Sequence, residues 1–230
     1  MIDIFADGAD LLVIKKYNDN NLIKGFTTNP TLMKMAGITD YKDFALKAIS
    51  IVGNKPISFE VFADDFPSME SQAEEIASWA ENVNVKIPIT NTKGESSVDL
   101  IKKLVKKKIK LNITALMTLD QVQAVADVLS PDVFSITSLF CGRIADTGID
   151  PIPICEKSSK ILEPSGSNLL WASPREVLNI KHAEQSGCKI ITVTDDILKK
   201  IPLFGKNLEE FSLETVKMFY SDAVKSGFNI

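Results

Sequence analysis

Lys86 stands among Val83, Val85, Ile87 and Pro88, a stretch apolar enough to be buried on both faces. A lysine turned inward there loses its water, which disfavours the ammonium, lowers the pKa and leaves an amine able to attack a carbonyl and form a Schiff base. The competing reading is a lysine that snorkels to a rim or pairs with Glu60. Asp7 and Glu60 are single carboxylates near the ends of other apolar runs. In a shared cavity, one could move the protons of carbinolamine formation and carbon–carbon cleavage while the other orients a water. Both also fit ion pairing with the lysine or capping of a following helix.

The basic residues supply a second cue, because only two of the 26 are arginines, Arg143 and Arg175. A chain that uses lysine wherever a plain charge suffices has kept two planar, bidentate donors, the type suited to phosphate or carboxylate. Ser173-Pro174-Arg175-Glu176 has the form of a helix-capping box with proline at the first helical position. A helix start beside an arginine is also an anion site, so the two readings of Ser173 coexist. His182 is the lone histidine and forms no metal constellation by itself, and Asp64-Asp65 and Asp195-Asp196 read as loop and helix-start acids. Trp79 and Trp171 read as packing residues, with Trp171 close enough to Ser173 to wall the site.

These residues need elements to position them. Strands are predicted near Ile2–Ala6, Ile23–Thr27, Ile57–Phe62, Val83–Ile87, Lys110–Thr114, Val133–Thr137, Leu169–Ala172 and Lys189–Val193. Helices fall between them at Asp10–Tyr17, Tyr41–Ile51, Met69–Asn82, Glu95–Lys108, Leu119–Leu129, Ile152–Leu162, Pro174–Glu184 and Asp195–Lys200, and a last helix near 213–226 has no strand after it. Eight such units predict a (β/α)8 TIM barrel with an extra C-terminal helix, one domain over residues 1–230. A doubly wound sheet is weakened because no GxGxxG or GxxxxGK[ST] motif follows a strand. Chemistry in a barrel sits at the C-terminal strand ends, and the polar residues there are Asp7, Thr28-Asn29, Glu60, Lys86, Asn112 with Thr114, Ser138 with Arg143, and Ser173 with Arg175.

Size and charge set limits. The 230 residues are 45% hydrophobic, enough for a full core, and the net charge of −4 argues against generic nucleic-acid binding while allowing a local basic pocket. The basic run from Lys102 to Lys110 reads as a solvated helix face. No apolar run approaches a membrane span, and the acidic start lacks the pattern of a secretory signal. Three cysteines, without CxxC, suggest neither a disulfide frame nor a zinc site and fit a reducing cytoplasm.

Seven segments, in order, resemble the transaldolase family, in its short-chain branch that also contains the fructose-6-phosphate aldolases. They are Phe5-Ala6-Asp7, Gly25-Phe26-Thr27-Thr28-Asn29-Pro30-Thr31, Ser58-Phe59-Glu60-Val61, Asn84-Val85-Lys86-Ile87-Pro88-Ile89-Thr90, Leu111-Asn112-Ile113-Thr114, Ser138 through Ile144, and Ala172-Ser173-Pro174-Arg175. The resemblance implies metal-free, cofactor-free transfer of a dihydroxyacetone unit through a Schiff base on Lys86, with Asp7 as the proton acceptor. It implies that Glu60 and Thr114 hold a water, that Asn29, Asn112 and Ser138 bind substrate hydroxyls, and that Arg143, Ser173 and Arg175 bind phosphate. Phe140 stands where the aldolase subgroup has a tyrosine, so Phe140 with Glu60 is the transaldolase pair. Two departures are Pro174, where the family often has an aromatic, and Cys141. The implied reaction links sedoheptulose 7-phosphate or fructose 6-phosphate with glyceraldehyde 3-phosphate or erythrose 4-phosphate in the pentose phosphate pathway. The family also implies a cytoplasmic homo-oligomer, a pentamer or decamer, with the last helix reaching a neighbour. The alternatives are an aldolase that releases free dihydroxyacetone and a non-catalytic sugar-phosphate-binding barrel.

Overall fold

Strands buried on both faces need one another on the inside and the amphipathic helices between them on the outside, and each crossover has one way to turn. The result is a closed barrel of eight parallel strands in chain order, a TIM barrel. The computed structural model describes residues 2–228. The strands are β1 (Asp3–Asp7), β2 (Ile23–Thr27), β3 (Ile57–Glu60), β4 (Val83–Pro88), β5 (Leu111–Leu116), β6 (Ser135–Leu139), β7 (Asn168–Trp171) and β8 (Ile190–Thr194). The helices are α1 (Leu11–Asn18), α2 (Pro30–Met35), α3 (Tyr41–Val52), α4 (Phe66–Ala77), α5 (Val98–Lys106), α6 (Leu119–Ala126), α7 (Cys141–Asp146), α8 (Ile152–Leu162), α9 (Asn179–Gln185), α10 (Asp195–Leu198) and α11 (Leu208–Ser226).

The chain divides into two compact units, residues 1–198 and 199–230. The first contains the barrel. Its lower interior is apolar toward β1, β6, β7 and β8, where Phe5, Ile136, Leu170, Ala172 and Ile190 form a buried cluster. Gly25 makes room for it, since a Cβ there would lie 2.6 Å from the Phe5 ring. On the β3–β6 side the interior is polar, and three of its side chains are joined in a chain of hydrogen bonds. Ser138 Oγ donates to Asn112 Oδ1 at 2.7 Å, and Asn112 Nδ2 donates to Ser58 Oγ at 3.1 Å. Buried polar groups joined in this way escape the cost of unpaired burial and fix each other's rotamers.

The second unit contains α11, which starts five residues before the predicted helix because Asn207 caps it, accepting from the Glu209 and Glu210 backbone amides at 2.9 and 3.1 Å. None of its residues is buried. The predicted helix from Pro174 is shorter than expected and begins at Asn179. Ser173 adopts φ +60°, outside the geometry of a helix cap, and the Asn179 side chain accepts from the Arg175 and Glu176 amides at 2.8 and 3.2 Å. Trp171 does not wall the site; it is buried beneath α9 with its ring 6.4 Å from that of His182. Among the described residues, no helix is long and apolar enough to cross a membrane.

Candidate active site

A cavity of about 310 Å³ opens at the C-terminal ends of the strands, where a TIM barrel holds its chemistry. Parallel pairing with Glu60 on β3 and Asn112 on β5 places Lys86 level with both on neighbouring strands. The lysine neither snorkels nor reaches the rim. It is 7% exposed, its Nζ lies 3.0 Å from Glu60 Oε2, and it donates to the Thr28 carbonyl at 2.7 Å. The inward lysine and its ion pair with Glu60 are thus one arrangement, and a carboxylate at that distance can receive a proton from the ammonium.

Glu60 is held through its backbone by a residue the sequence did not single out. Tyr41, at the start of α3, donates its hydroxyl to the Glu60 carbonyl at 2.7 Å and accepts from the Glu60 amide at 2.9 Å. Strand β2 pairs with β3 only through Ile57 and Ser58, so the phenol supplies partners that the neighbouring strand does not. Tyr41 is itself packed against the Phe59, Phe62 and Trp79 rings.

Asp7 faces Lys86 across the cavity floor. Burial pushes its carboxyl above the ordinary aspartate range, opposed by the positive charge of Lys86 and by a 2.7 Å hydrogen bond from Thr27 Oγ1. Thr27 in turn shares a short hydrogen bond with Thr192 on β8. Thr192 went unnoticed in the sequence, although the alternation in Ile190-Ile191-Thr192-Val193-Thr194 places it on one face of the strand.

The remaining predicted residues line the same cavity with two exceptions. Thr114, Asn112 and Ser138 are buried on its wall, and Phe140 lines it too while packing against the apolar cluster. Asn29 spends its carbonyl oxygen capping α2, accepting from Leu32 N at 2.9 Å, which leaves the amide nitrogen to meet a ligand. Arg143, on α7, lines the mouth beside Ser173. These two are locked together by a close backbone approach, because a Cβ at Gly142 would lie 1.5 Å from the Ser173 carbonyl oxygen. Thr28 donates its hydroxyl to the Ser58 carbonyl at 3.0 Å, and Arg175 is the other exception. It does not line the cavity; its Nε donates to Asp146 Oδ1 at 2.9 Å and its Nη2 to Asp146 Oδ2.

Matching the chain against family models gives transaldolase/fructose-6-phosphate aldolase over residues 4–230. The chain belongs to that family. A protein of Dehalococcoides mccartyi described as a probable transaldolase is 33% identical over 213 residues, covering 90% of this chain and 95% of its own. One of Methanococcus maripaludis with the same description is 32% identical over 212 residues, covering 90% and 94%. Among solved structures, KGPDC from Streptococcus mutans superposes with a TM-score of 0.59 at 12% identity, covering 86% of this chain and 90% of that one, a likeness of fold alone. Membership in the transaldolase family makes this chain an enzyme of transaldolase type.

Proposed function

We propose that the protein is a transaldolase that transfers dihydroxyacetone from sedoheptulose 7-phosphate or fructose 6-phosphate to glyceraldehyde 3-phosphate or erythrose 4-phosphate, as in the pentose phosphate pathway. The observation that carries the reading is the buried Lys86 amine 3.0 Å from Glu60 and facing Asp7 at the bottom of one polar cavity. Glu60 takes the ammonium proton, Lys86 attacks the ketone carbon, and loss of water from the carbinolamine leaves a protonated imine. That imine accepts the electron pair of the breaking carbon–carbon bond as Asp7 takes the proton of the departing hydroxyl. The raised affinity of Asp7 for protons suits this step. The aldose phosphate leaves and the three-carbon unit stays as an enamine until a second aldose phosphate reverses the steps.

In this scheme Thr114 and Glu60 hold the water that relays protons, while Asn29, Asn112 and Ser138 take the sugar hydroxyls. Arg143, Ser173 and Arg175 take the phosphate. Phe140 has no hydroxyl with which to hold a water beside the enamine, which supports transfer over hydrolytic release. No cofactor or metal takes part in the scheme. We place the enzyme in the cytoplasm, as a pentamer or decamer. The exposed apolar residues of α11, among them Leu208, Val216, Phe219 and Tyr220, support self-association.

The test is borohydride reduction in the presence of fructose 6-phosphate, followed by peptide mapping. A three-carbon adduct on Lys86 that erythrose 4-phosphate discharges into sedoheptulose 7-phosphate supports the transaldolase. Release of free dihydroxyacetone without acceptor turns the assignment to an aldolase. Failure to form either adduct or product leaves a binding barrel.

A further inference from the structure

The two arginines differ in what they face. Arg143 lines the cavity, whereas Arg175 has turned to the rim and given one edge of its guanidinium to Asp146. Asp146 closes α7 three residues after Arg143, so one short helix carries a cation for the cavity and an anion that engages the other cation. The chain has no third arginine.

We propose that Asp146 is a specificity-determining positioning residue, an internal anion that withholds Arg175 from the cavity mouth until a substrate phosphate displaces it. The proposal rests on the reading of Arg143, Ser173 and Arg175 as the phosphate site. The two-point fork fixes the guanidinium as well as attracting it, because a planar donor pair matches a carboxylate edge. Hydrogen bonds and charge from Arg175, with a smaller contribution from Arg143, hold the Asp146 carboxyl below its ordinary range, so the latch stays charged through the neutral and mildly acidic range. Its strength is limited, since both side chains are about half exposed and water screens the pair. A phosphate carries about −1.5 to −2 charge at neutral pH and three acceptor oxygens, enough to compete with one carboxylate. A neutral hydroxymethyl group offers nothing to exchange, so Arg175 stays with Asp146 and the unphosphorylated sugar gains no contact there. Discrimination then comes from an interaction that must be broken as well as from the one that forms.

The experiment compares Asp146→Asn, Asp146→Glu and Arg175→Gln with the parent enzyme. Asp146→Asn should tighten calorimetric binding of inorganic phosphate by about two- to five-fold, the range an exposed ion pair can withhold. The KM for fructose 6-phosphate should fall by a similar factor, with a smaller change in kcat and none in the inhibition constant of unphosphorylated fructose. Asp146→Glu should return the values toward the parent. Weaker phosphate binding in Asp146→Asn would overturn the proposal, making Asp146 a support for phosphate capture rather than a latch. No change in Asp146→Asn together with weakened binding in Arg175→Gln would also overturn it, while leaving the phosphate site standing. Unchanged phosphate binding in Arg175→Gln would remove both the latch and the role of Arg175. The calorimetry requires no turnover, so it separates these results from failure of the proposed reaction. Both positions are exposed, and an unchanged melting temperature checks that the fold is kept.

Discussion

The cavity floor and the surface beside its mouth hold the same kinds of charge in opposite surroundings. At the floor, Lys86 and Glu60 pair with 9% and 18% of their side chains exposed; at the rim, Arg175 and Asp146 pair with 47% and 50% exposed. Attraction between unit charges grows as the local dielectric falls, so the floor is where a proton's position changes energies most. At the rim, water and salt weaken every pair and make it exchangeable. The arrangement suits a division of labour in which the floor alters bonds and the rim grips and releases.

The comparison is broken most severely at the floor. Lys86→Met should lower transaldolase turnover by on the order of 10⁴-fold or more, as expected for removal of a covalent nucleophile. Borohydride should then trap no adduct, and residual adduct on another lysine would move the nucleophile elsewhere. Asp7→Asn should cost roughly 10²- to 10⁴-fold in turnover, the scale of a lost proton-transfer group. Its stability should move the other way. The folded-state pKa of Asp7 is raised, so ionised Asp7 costs stability, a cost absent below the unfolded aspartate value of about 3.9 and complete above the folded one. Melting temperatures of the variant should therefore exceed those of the parent at neutral pH and converge with them in acid. A variant destabilised at neutral pH would show that Asp7 stabilises the fold.

Smaller changes sharpen the contrast. Gly142→Ala drives a methyl into the Ser173 carbonyl, and we expect a loss at the upper end of the ~1–3 kcal/mol typical of overpacking, with a raised KM for phosphorylated sugars. Tyr41→Phe removes the partner of the Glu60 amide and carbonyl; chemical denaturation should report a loss of about 1–3 kcal/mol, and kcat should fall more than KM rises. The mildest perturbation is salt. Raising ionic strength from about 0.05 to 0.5 M shortens the screening length from about 14 Å to about 4 Å, which should raise the KM for fructose 6-phosphate. The yield of trapped Lys86 adduct at saturating substrate should hardly change.

Much of the barrel was legible because its signals are local. Strand β2 matches its predicted span, Ile23–Thr27, and helix α8 matches Ile152–Leu162. The errors have specific causes. Strand β5 runs past its predicted end at Thr114 to Leu116, through Ala115, whose φ of +65° and register shift against β6 no composition rule anticipates. The six-residue helices α2 and α7 were missed because each is short and lies over a polar motif, Asn29-Pro30-Thr31 and Cys141-Gly142-Arg143. The capping box at Ser173 failed for a long-range reason, since the chain bends there to pass close over Gly142. The cavity residues were legible as polar groups at strand ends, whereas Tyr41, Thr192 and Asp146 were not. Tyr41 acts from a helix through a contact 19 residues away, and the engagement of Arg175 by Asp146 depends on rotamers that sequence does not encode locally. The three unpaired cysteines, distant in sequence, meet inside the barrel unit, with Sγ atoms 3.3 and 3.5 Å apart in sequence order.

The Phe5 ring, lying over Gly25 and packed with Ile136, Leu170 and Ile190, makes the barrel a cup rather than a tube. A molecule bound above that plug shares one doorway with its replacement. Under the proposed transfer the first aldose phosphate must leave before the second can take its place, and double-reciprocal plots at several fixed acceptor concentrations should run parallel, the ping-pong pattern, because the floor of the barrel is closed.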